Sequence, residues 1–177
     1  MEMIVVLHNI RSCYNVGAIL RTAEGFGAKK VILSGYTPRV HDENLLPHLR
    51  EKLDKEIHKT ALGAEDMLDV YSCGDIISEL KNLHEQGWQV VGLENNINST
   101  PLYSLCDGKL PDALSDKIVL VLGEEVEGID YSLYDIIDLF VEIPMKGQKE
   151  SFNVSVATGI ALYGLLAIKN ALAKRAK

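Results

Sequence analysis

The stretch E-I-P-M-K-G-Q-K-E-S-F-N-V-S-V-A at residues 142–157 decides how this chain folds. It continues an apolar run, turns through Pro144 and Gly147, and leads into a long apolar segment. Because Pro144 cannot donate to the ladder of a central strand and Gly147 permits unusual backbone angles, the chain must leave the strand here. Ser151 and Asn153 are residue types that cap a following helix. The stretch therefore predicts a strand, a loop and a helix, a connection that is common in α/β domains.

The rest of the chain alternates short apolar runs with segments of helical character. Runs typical of buried parallel strands occur at residues 4–7, 31–33, 88–93, 118–122 and 139–143. Helices are predicted at residues 15–26, 76–86 and 153–174, with shorter helical pieces within 38–54, 59–64 and 131–137. This alternation predicts one α/β domain over residues 1–177, with a mostly parallel sheet flanked by helices. Functional residues are expected at the carboxyl ends of the strands.

Composition points to a folded domain in the cytoplasm. Apolar residues make up 47% of the chain, and the N-terminal apolar run is too short and lacks the basic start of a signal peptide. The apolar segment 154–168 is shorter than the roughly 18 residues of a membrane span, so no membrane contact is expected. Three widely spaced cysteines indicate reduced thiols. His41 and His48 lack a third ligand nearby, which argues against a metal site.

The net charge of −7 is unevenly distributed along the chain. Residues 61–142 carry three Lys and Arg against 17 Asp and Glu, whereas residues 143–177 carry six against one. Residues 1–60 carry nine against seven. A positive surface formed by the two ends is compatible with phosphate binding, and the alternative is a solvated mosaic of charges.

The start of the first predicted helix combines groups that bind anions. Asn15 is the expected N-cap, and Arg21 lies about one turn beyond two small residues, Gly17 and Ala18. Because helical side chains lean toward the N-terminus, the Arg21 guanidinium can lie over the helix start, near the Asn15 amide and free backbone N–H groups. The alternatives are an arginine that packs over the core or one that pairs with a carboxylate such as Glu125.

The glycine-bounded loop G-E-E-V-E-G at residues 123–128 follows the most strongly apolar predicted strand. Its three carboxylates would repel phosphate, and it lacks the lysine of a P-loop. No G-x-G-x-x-G follows a strand and no G-x-S-x-G elbow surrounds Ser151, so dinucleotide binding and serine hydrolysis have little support. A cationic ligand or an Asn or Arg partner suits the loop better, although a single glutamate is commonly a solvated surface charge.

Three stretches together resemble the three motifs of the SpoU (TrmH-like) RNA ribose methyltransferases of the SPOUT class. Residues 9–23 resemble the first motif, residues 120–128 the second and residues 143–157 the third. Residues 59–64 also resemble the segment between motifs. The resemblance covers essentially the whole chain in order and spacing, which makes it far more specific than any single motif.

The resemblance implies methyl transfer from S-adenosylmethionine to a ribose 2′-hydroxyl of tRNA or rRNA. It also implies a deep C-terminal trefoil knot that holds the cofactor, and a homodimer. Matching positions imply catalytic or site-shaping roles for Asn15, Arg21, Glu125, Ser151 and Asn153. They imply cofactor binding, largely through backbone groups, at Leu93, Gly123, Ile143 and Ser151. The last predicted helix is apolar on nearly every side, so we expect it and the helix at 15–26 to form the dimer interface.

RNA contacts are expected on the domain itself, because no appended RNA-recognition domain is expected. Arg11, Lys146 and Lys149 are the predicted contacts, and the two lysines flank Gly147 beside the implied cofactor site. Taken singly, each of the three is commonly a solubilising charge. The family pattern usually has a small or uncharged residue at position 124 and Leu at position 152, so Glu124 and Phe152 leave the identity of the RNA open.

Two other functions stay open from the sequence. The first is a catalytically idle RNA-binding relative that keeps the knotted fold, which the acidic middle of the chain motivates. The second is a nucleotide-binding α/β protein of unrelated chemistry. Binding of S-adenosylmethionine, of NAD or ATP, or of neither, separates these hypotheses.

Overall fold

The computed structural model describes residues 1–95, 97–107 and 114–175, and a seven-stranded sheet forms its centre. The strands follow the order β3-β2-β1-β6-β4-β7-β5, and every neighbouring pair is parallel. The strands are β1 Glu2–His8, β2 Lys30–Ser34, β3 Val70–Ser72, β4 Gln89–Leu93, β5 Thr100–Pro101, β6 Lys117–Leu122 and β7 Leu139–Glu142. The predicted parallel α/β sheet is confirmed.

Helices cover both faces of the sheet. They are α1 Cys13–Gly25, α2 Pro47–Ala61, α3 Ala64–Met67, α4 Ile76–Glu85 and α5 Val154–Arg175, with 3₁₀ helices at Leu102–Asp107 and Tyr131–Ile136. Along β1, Val5 and Leu7 face the core shared with α1, α2 and α5, whereas Ile4 and Val6 face the core shared with α4. The continuous apolar run of β1 is therefore buried on both faces, as a central parallel strand requires.

The sequence prediction failed where few apolar residues mark an element. Residues 47–61 form a 15-residue helix, whereas mostly loop was expected there. Only Ile57 and Ala61 of α2 are buried, so its apolar stripe is too sparse for a clear helical period. β3 and β5 span three and two residues and were also missed.

The structure corrects the predicted cap of α1 and confirms Asn153 as the cap of α5. Ser12, and not Asn15, caps α1: the Ser12 hydroxyl accepts the Asn15 N–H at 3.3 Å, which leaves the Asn15 side chain free for other partners. Asn153 caps α5, because its Oδ1 accepts the Ser155 N–H at 2.9 Å, whereas Ser151 lies outside the cap.

Helix α5 has the predicted length, but its apolar part is longer than expected. Its stretch Val154–Ala171 has the length and composition of a membrane span, and 33% of that stretch is buried. The prediction that this apolar segment is too short for a membrane span was therefore wrong. That the protein does not contact a membrane stays a prediction. The helix packs on α1 and on the 3₁₀ helix Leu102–Asp107, while Val156, Ile160 and Tyr163 are exposed.

The chain after β7 passes close to the end of β4 before it enters α5. The Asn95 side chain bonds the backbone of both Ile143 and Glu150. This path and the insertion of β6 and β7 beside β4 agree with a C-terminal knot, which stays a prediction.

Gly17 brings α1 and α2 into close contact. A Cβ atom at this position would lie 2.2 Å from the Ile57 carbonyl oxygen and 2.3 Å from Thr60 Oγ1. Gly17 is therefore covered by α2 and does not leave open space for Arg21, contrary to the sequence-based picture of the helix start.

We predict that Gly17→Ala destabilises the protein by about 1–3 kcal/mol, because the α2 backbone must move to admit the methyl group. The matched control is Gly25→Ala in the same helix, where an added Cβ meets nothing within 4 Å. Gly25→Ala is expected to stabilise the protein slightly, by up to about 1 kcal/mol, because alanine lowers the conformational entropy of the unfolded chain. Urea unfolding of both variants measures the difference, and equal free energies of unfolding would contradict the packing argument.

Candidate functional site

An open cleft lies at the carboxyl ends of β4, β6 and β7. It holds about 770 Å³ of free space when the solvent at its open mouth is included. The cleft is lined by Leu93, Glu94, Asn95, Leu122, Gly123, Glu124, Glu125, Val126, Gly128, Ile143, Glu150, Ser151, Phe152, Val154 and Ala157. The four predicted cofactor residues, Leu93, Gly123, Ile143 and Ser151, thus lie together on one cleft.

The loop after β6 folds back on itself at the edge of this cleft. Glu124 and Gly128 exchange backbone hydrogen bonds of 2.9 and 3.0 Å. A Cβ atom at Gly123 would lie 2.2 Å from the Gly128 carbonyl oxygen, so only glycine fits there. Gly128 has a φ of 75°, a conformation that other residues rarely adopt. The two glycines of the motif therefore let the loop close tightly and expose backbone groups to the cleft.

Three of the predicted catalytic residues form a continuous row of hydrogen bonds. Asn153 Nδ2 donates to Asn15 Oδ1 at 3.1 Å, and Asn15 Nδ2 donates to Glu125 Oε1 at 3.0 Å. Glu125 Oε2 also accepts the Arg11 backbone N–H at 3.4 Å. Residues that are 138 positions apart in the sequence thus fix one carboxylate at the edge of the cleft.

The two remaining predicted catalytic residues are placed differently. Ser151 lines the cleft directly. Arg21 is exposed on α1, about 9 Å of helix beyond Asn15, and does not line the cleft. Within the described ranges it has no hydrogen-bond or ion-pair partner, so its guanidinium is available to a ligand.

Sequence reasoning missed two cleft residues, Glu94 and Asn95. Asn95 Nδ2 donates to the carbonyl oxygens of Ile143 and Glu150, each at 3.2 Å, and Asn95 Oδ1 accepts the Ile143 N–H at 3.2 Å. Glu94 accepts the backbone N–H groups of Asn95 and Ile129 at 3.0 and 2.7 Å. Both residues follow β4 directly, so the rule that sites lie at the carboxyl ends of parallel strands could have identified them.

The comparison with known proteins agrees with this arrangement. A family model described as the SpoU rRNA Methylase family matches residues 2–163. The chain belongs to the SpoU rRNA methylase family.

Relatives and solved structures extend this finding. The 23S rRNA (guanosine-2′-O-)-methyltransferase RlmB of Xylella fastidiosa is 32% identical over 161 residues, which are 91% of this chain and 57% of that protein. The chain therefore spans little more than half of that relative's length. An AdoMet-bound rRNA methyltransferase from Sinorhizobium meliloti superposes with a TM-score of 0.75 at 24% identity, over 94% of this chain and 56% of the other.

A third comparison matches in length as well as in fold. A chain solved for insight into the 2-OH methylation of C/U34 on tRNA superposes with a TM-score of 0.74 at 20% identity. The match covers 96% of this chain and 97% of the other. At this identity the likeness shows the fold alone.

The electrostatics of the cleft in this SpoU domain favour a cation. Four carboxylates line it, those of Glu94, Glu124, Glu125 and Glu150. Burial raises the pKa of Glu94, while the backbone N–H groups of Ile129 and Asn95 lower it in part. A positive charge near these groups relieves their mutual repulsion.

The three predicted RNA contacts lie on the surface around the cleft, but only two are free. Lys146 and Lys149 are exposed and have no partner among the described residues. The Arg11 guanidinium forms an ion pair with Glu124, whose side chain is 11% exposed. It also lies over the Tyr36 ring, with 5.8 Å between Arg11 Cζ and the ring centroid. Arg11 is therefore partly neutralised, unlike the two lysines.

His41, in the loop before α2, has a structural role. His41 bonds Asp54 at 3.3 Å and Asp66 at 3.1 Å and thereby ties this loop to α2 and α3. In the part of the chain that the structure describes, no group of three or more His, Cys, Asp or Glu could hold a metal ion. Cys13 and Cys73 are free thiols.

We predict that Asn95→Asp loosens the loop at 143–153. The substitution removes two donated hydrogen bonds and turns a negative oxygen toward two carbonyl groups. Cleavage by trypsin after Lys146 and Lys149 should become about 5- to 100-fold faster, because each lost bond contributes about 0.5–1.5 kcal/mol to closure.

Mass spectrometry of timed digests measures this rate at each lysine. Asn82→Asp on the exposed face of α4 is the control and should leave the rate unchanged. Equal rates for Asn95→Asp and the wild type would show that Asn95 does not hold the loop.

Proposed function

We propose that this protein transfers a methyl group from S-adenosylmethionine to a ribose 2′-hydroxyl of tRNA or rRNA. The observation that carries the proposal is the hydrogen-bonded row Asn153–Asn15–Glu125 at the edge of an acidic cleft. The row joins the first, second and third motifs of the SpoU family in one place. The names of the relatives support the same reaction.

The cleft fits S-adenosylmethionine by shape and charge. The bound cofactor would supply an electrophilic methyl group on a positively charged sulfur. Leu93, Gly123 and Ile143 stand where backbone N–H and C=O groups can bind its adenosyl part, and Asn95 holds the Ile143 segment in place. The four carboxylates favour S-adenosylmethionine, whose sulfur is positively charged, over the product S-adenosylhomocysteine, whose sulfur is uncharged. This difference promotes product release.

Positioning is the main contribution expected of the hydrogen-bonded row. A methyl displacement needs the attacking oxygen, the carbon and the sulfur in line, and correct alignment supplies much of the rate. Asn15 and the Arg11 backbone fix both oxygens of Glu125, so this carboxylate can accept a hydrogen bond from the ribose in one orientation. Ser151, which also lines the cleft, can orient the same hydroxyl.

Arg21 stabilises negative charge on the RNA and does not act as the base. A guanidinium has a pKa above about 12 and does not accept a proton near neutral pH. Its exposed position and lack of a protein partner suit it to bind the phosphate next to the target ribose and to stabilise the developing alkoxide. Lys146 and Lys149 would bind the RNA backbone beside the cleft.

Calorimetry and methyl transfer test the proposal together. We expect the wild-type protein to bind S-adenosylmethionine and to methylate RNA from a strain that lacks the gene, with the product mapped as a 2′-O-methyl nucleotide. Arg21→Ala should abolish turnover and leave cofactor affinity unchanged, because Arg21 lies outside the cleft. Arg21→Lys keeps a positive charge below the lysine pKa, so it should retain part of the activity there and lose it as the pH rises through that pKa.

Three outcomes would overturn parts of this proposal. Cofactor binding that is undetectable at millimolar ligand would favour the catalytically idle RNA-binding relative. Binding of NAD or ATP in its place would favour a nucleotide-binding protein of other chemistry. Activity of Arg21→Lys that rises with pH through the lysine pKa would make Arg21 the base.

We further propose that the protein is a homodimer in the cytoplasm, with α5 and the adjoining side of α1 at its two-fold interface. Val156, Ile160 and Tyr163 expose apolar surface along α5, and the free thiols agree with a reducing compartment. α1 packs against the same helix near Gly159, so the two helices present a continuous surface. Apolar patches of this kind mark interaction surfaces.

We predict that Tyr163→Glu weakens the dimer at least about tenfold, because a charge without a partner would be buried at the interface. Tyr163 is 67% exposed within one chain, so the monomer should fold normally. Sedimentation velocity at low micromolar protein measures the change. Met67→Glu, at an equally exposed apolar position on α3, is the control and should remain dimeric. A wild-type monomer at this concentration would refute the dimer.

A further inference from the structure

Three side chains form a row across neighbouring strand ends, beginning beside the cleft. Glu124 follows β6, Arg11 follows β1 and Tyr36 follows β2, and these strands are adjacent in the sheet. Arg11 bonds Glu124 on one side and stacks on the Tyr36 ring on the other. Neighbouring strands are about 4.8 Å apart, so Tyr36 stands about 10 Å from the strand end that carries the cleft loop.

The backbone that carries Tyr36 is tightly fixed. The Tyr36 N–H donates to Asn9 Oδ1 at 3.3 Å, and the buried Thr37 hydroxyl accepts the Ile10 N–H at 3.1 Å and donates to the Leu7 carbonyl at 3.0 Å. Gly35 has a φ of 63°, and a Cβ there would collide with Asn9 Oδ1 at 1.8 Å. The loops after β1 and β2 therefore behave as one unit.

The Tyr36 side chain itself remains 51% exposed, although its backbone is held so firmly. A rigidly placed, exposed aromatic ring with an arginine on it is the arrangement on which proteins stack unpaired nucleic-acid bases. Because Glu124 already neutralises Arg11, this arginine is poorly suited to hold a phosphate. Its flat guanidinium instead orients the ring.

We propose that Tyr36, oriented by Arg11, stacks on an unpaired base of the RNA next to the nucleotide that enters the cleft. This inference rests on the proposed function, because it assigns the ring to the same RNA substrate. It also changes the role expected for Arg11, from a contact with the RNA backbone to a residue that positions a stacking platform. Lys146 and Lys149 keep the backbone role, in the exposed loop between Ile143 and Glu150, which both line the cleft.

Fluorescence anisotropy with a labelled single-stranded RNA oligomer of mixed sequence tests the proposal, in the presence of S-adenosylhomocysteine. Tyr36→Ala should raise the Kd about 5- to 150-fold, as removal of a base-stacking aromatic generally does, whereas Tyr36→Phe keeps the ring and should stay within about twofold of the wild type. Tyr103→Ala is the matched control, because Tyr103 is 65% exposed at the far edge of the sheet.

The dependence on salt separates stacking from charge. Tyr36→Ala should leave the slope of log Kd against log salt unchanged, because no phosphate contact is lost. The double variant Lys146→Ala and Lys149→Ala should flatten that slope by about one to two units. A flattened slope in Tyr36→Ala would show that the ring acts through Arg11 and phosphate, and would overturn the stacking role.

Methyl transfer to RNA from the strain that lacks the gene distinguishes this inference from the function on which it rests. If the wild type methylates that RNA and Tyr36→Ala binds the oligomer as well as the wild type does, stacking is wrong and the proposed function stands. If the wild type does not methylate the RNA but Tyr36→Ala still loses oligomer affinity at constant slope, the stacking surface stands and the proposed function fails. Equal melting temperatures of the variants exclude unfolding as the cause.

Discussion

The side-chain amide of Asn153 is the constraint on which the candidate site depends. Its oxygen accepts the Ser155 N–H and so starts helix α5, and its nitrogen donates to Asn15. Because the oxygen is held by the helix start, the amide can present only its N–H groups to Asn15. Asn15 must then accept from Asn153 and donate to Glu125, so the direction of the whole row follows from one helix cap. The requirement to cap α5 and the requirement to orient a carboxylate are met by the same residue.

The second constraint is electrostatic, and it explains why the cleft is built from backbone and glycine. Four carboxylates in one small cleft raise its free energy unless each has donors. The structure supplies donors for three of them: backbone N–H groups for Glu94, Asn15 for Glu125 and Arg11 for Glu124. If these donors balanced the negative charge of the carboxylates completely, the cleft would not favour a cationic ligand. Burial nevertheless raises the pKa of Glu94, so some of the cost remains in the absence of a ligand. A positive ligand lowers that cost, which links the stability of the loop to binding.

The sequence predicted the elements that bury continuous apolar runs, since burial on both faces leaves a clear signal in strands such as β1 and β6. The four cofactor residues that the family resemblance implied lie on one cleft, as the meeting of adjacent parallel strand ends allows, and their role stays a prediction. The sequence predicted Asn15 as the cap of α1, whereas Ser12 caps the helix and the Asn15 side chain bonds the tertiary partner Glu125, because serine and asparagine cap about equally well. Glu94 and Asn95 were missed although they follow β4 directly, because their partners are main-chain groups and only their position at a strand end marks them in the sequence.

The close packing at Gly17 affects where Arg21 lies. The position of Arg21 in turn decides whether its guanidinium can meet a ligand in the acidic cleft. α2 packs so closely on α1 at Gly17 that a Cβ atom there would lie 2.2 Å from the Ile57 carbonyl oxygen, and Arg21, one turn later in α1, is exposed. Arg21 is therefore held on the outer surface of α1, the helix that also packs against α5. If α5 and α1 form a two-fold interface, each Arg21 is brought toward the second copy as well as toward its own cleft. An RNA bound across both copies would then meet the arginine and the acidic cleft together, which one copy alone keeps apart.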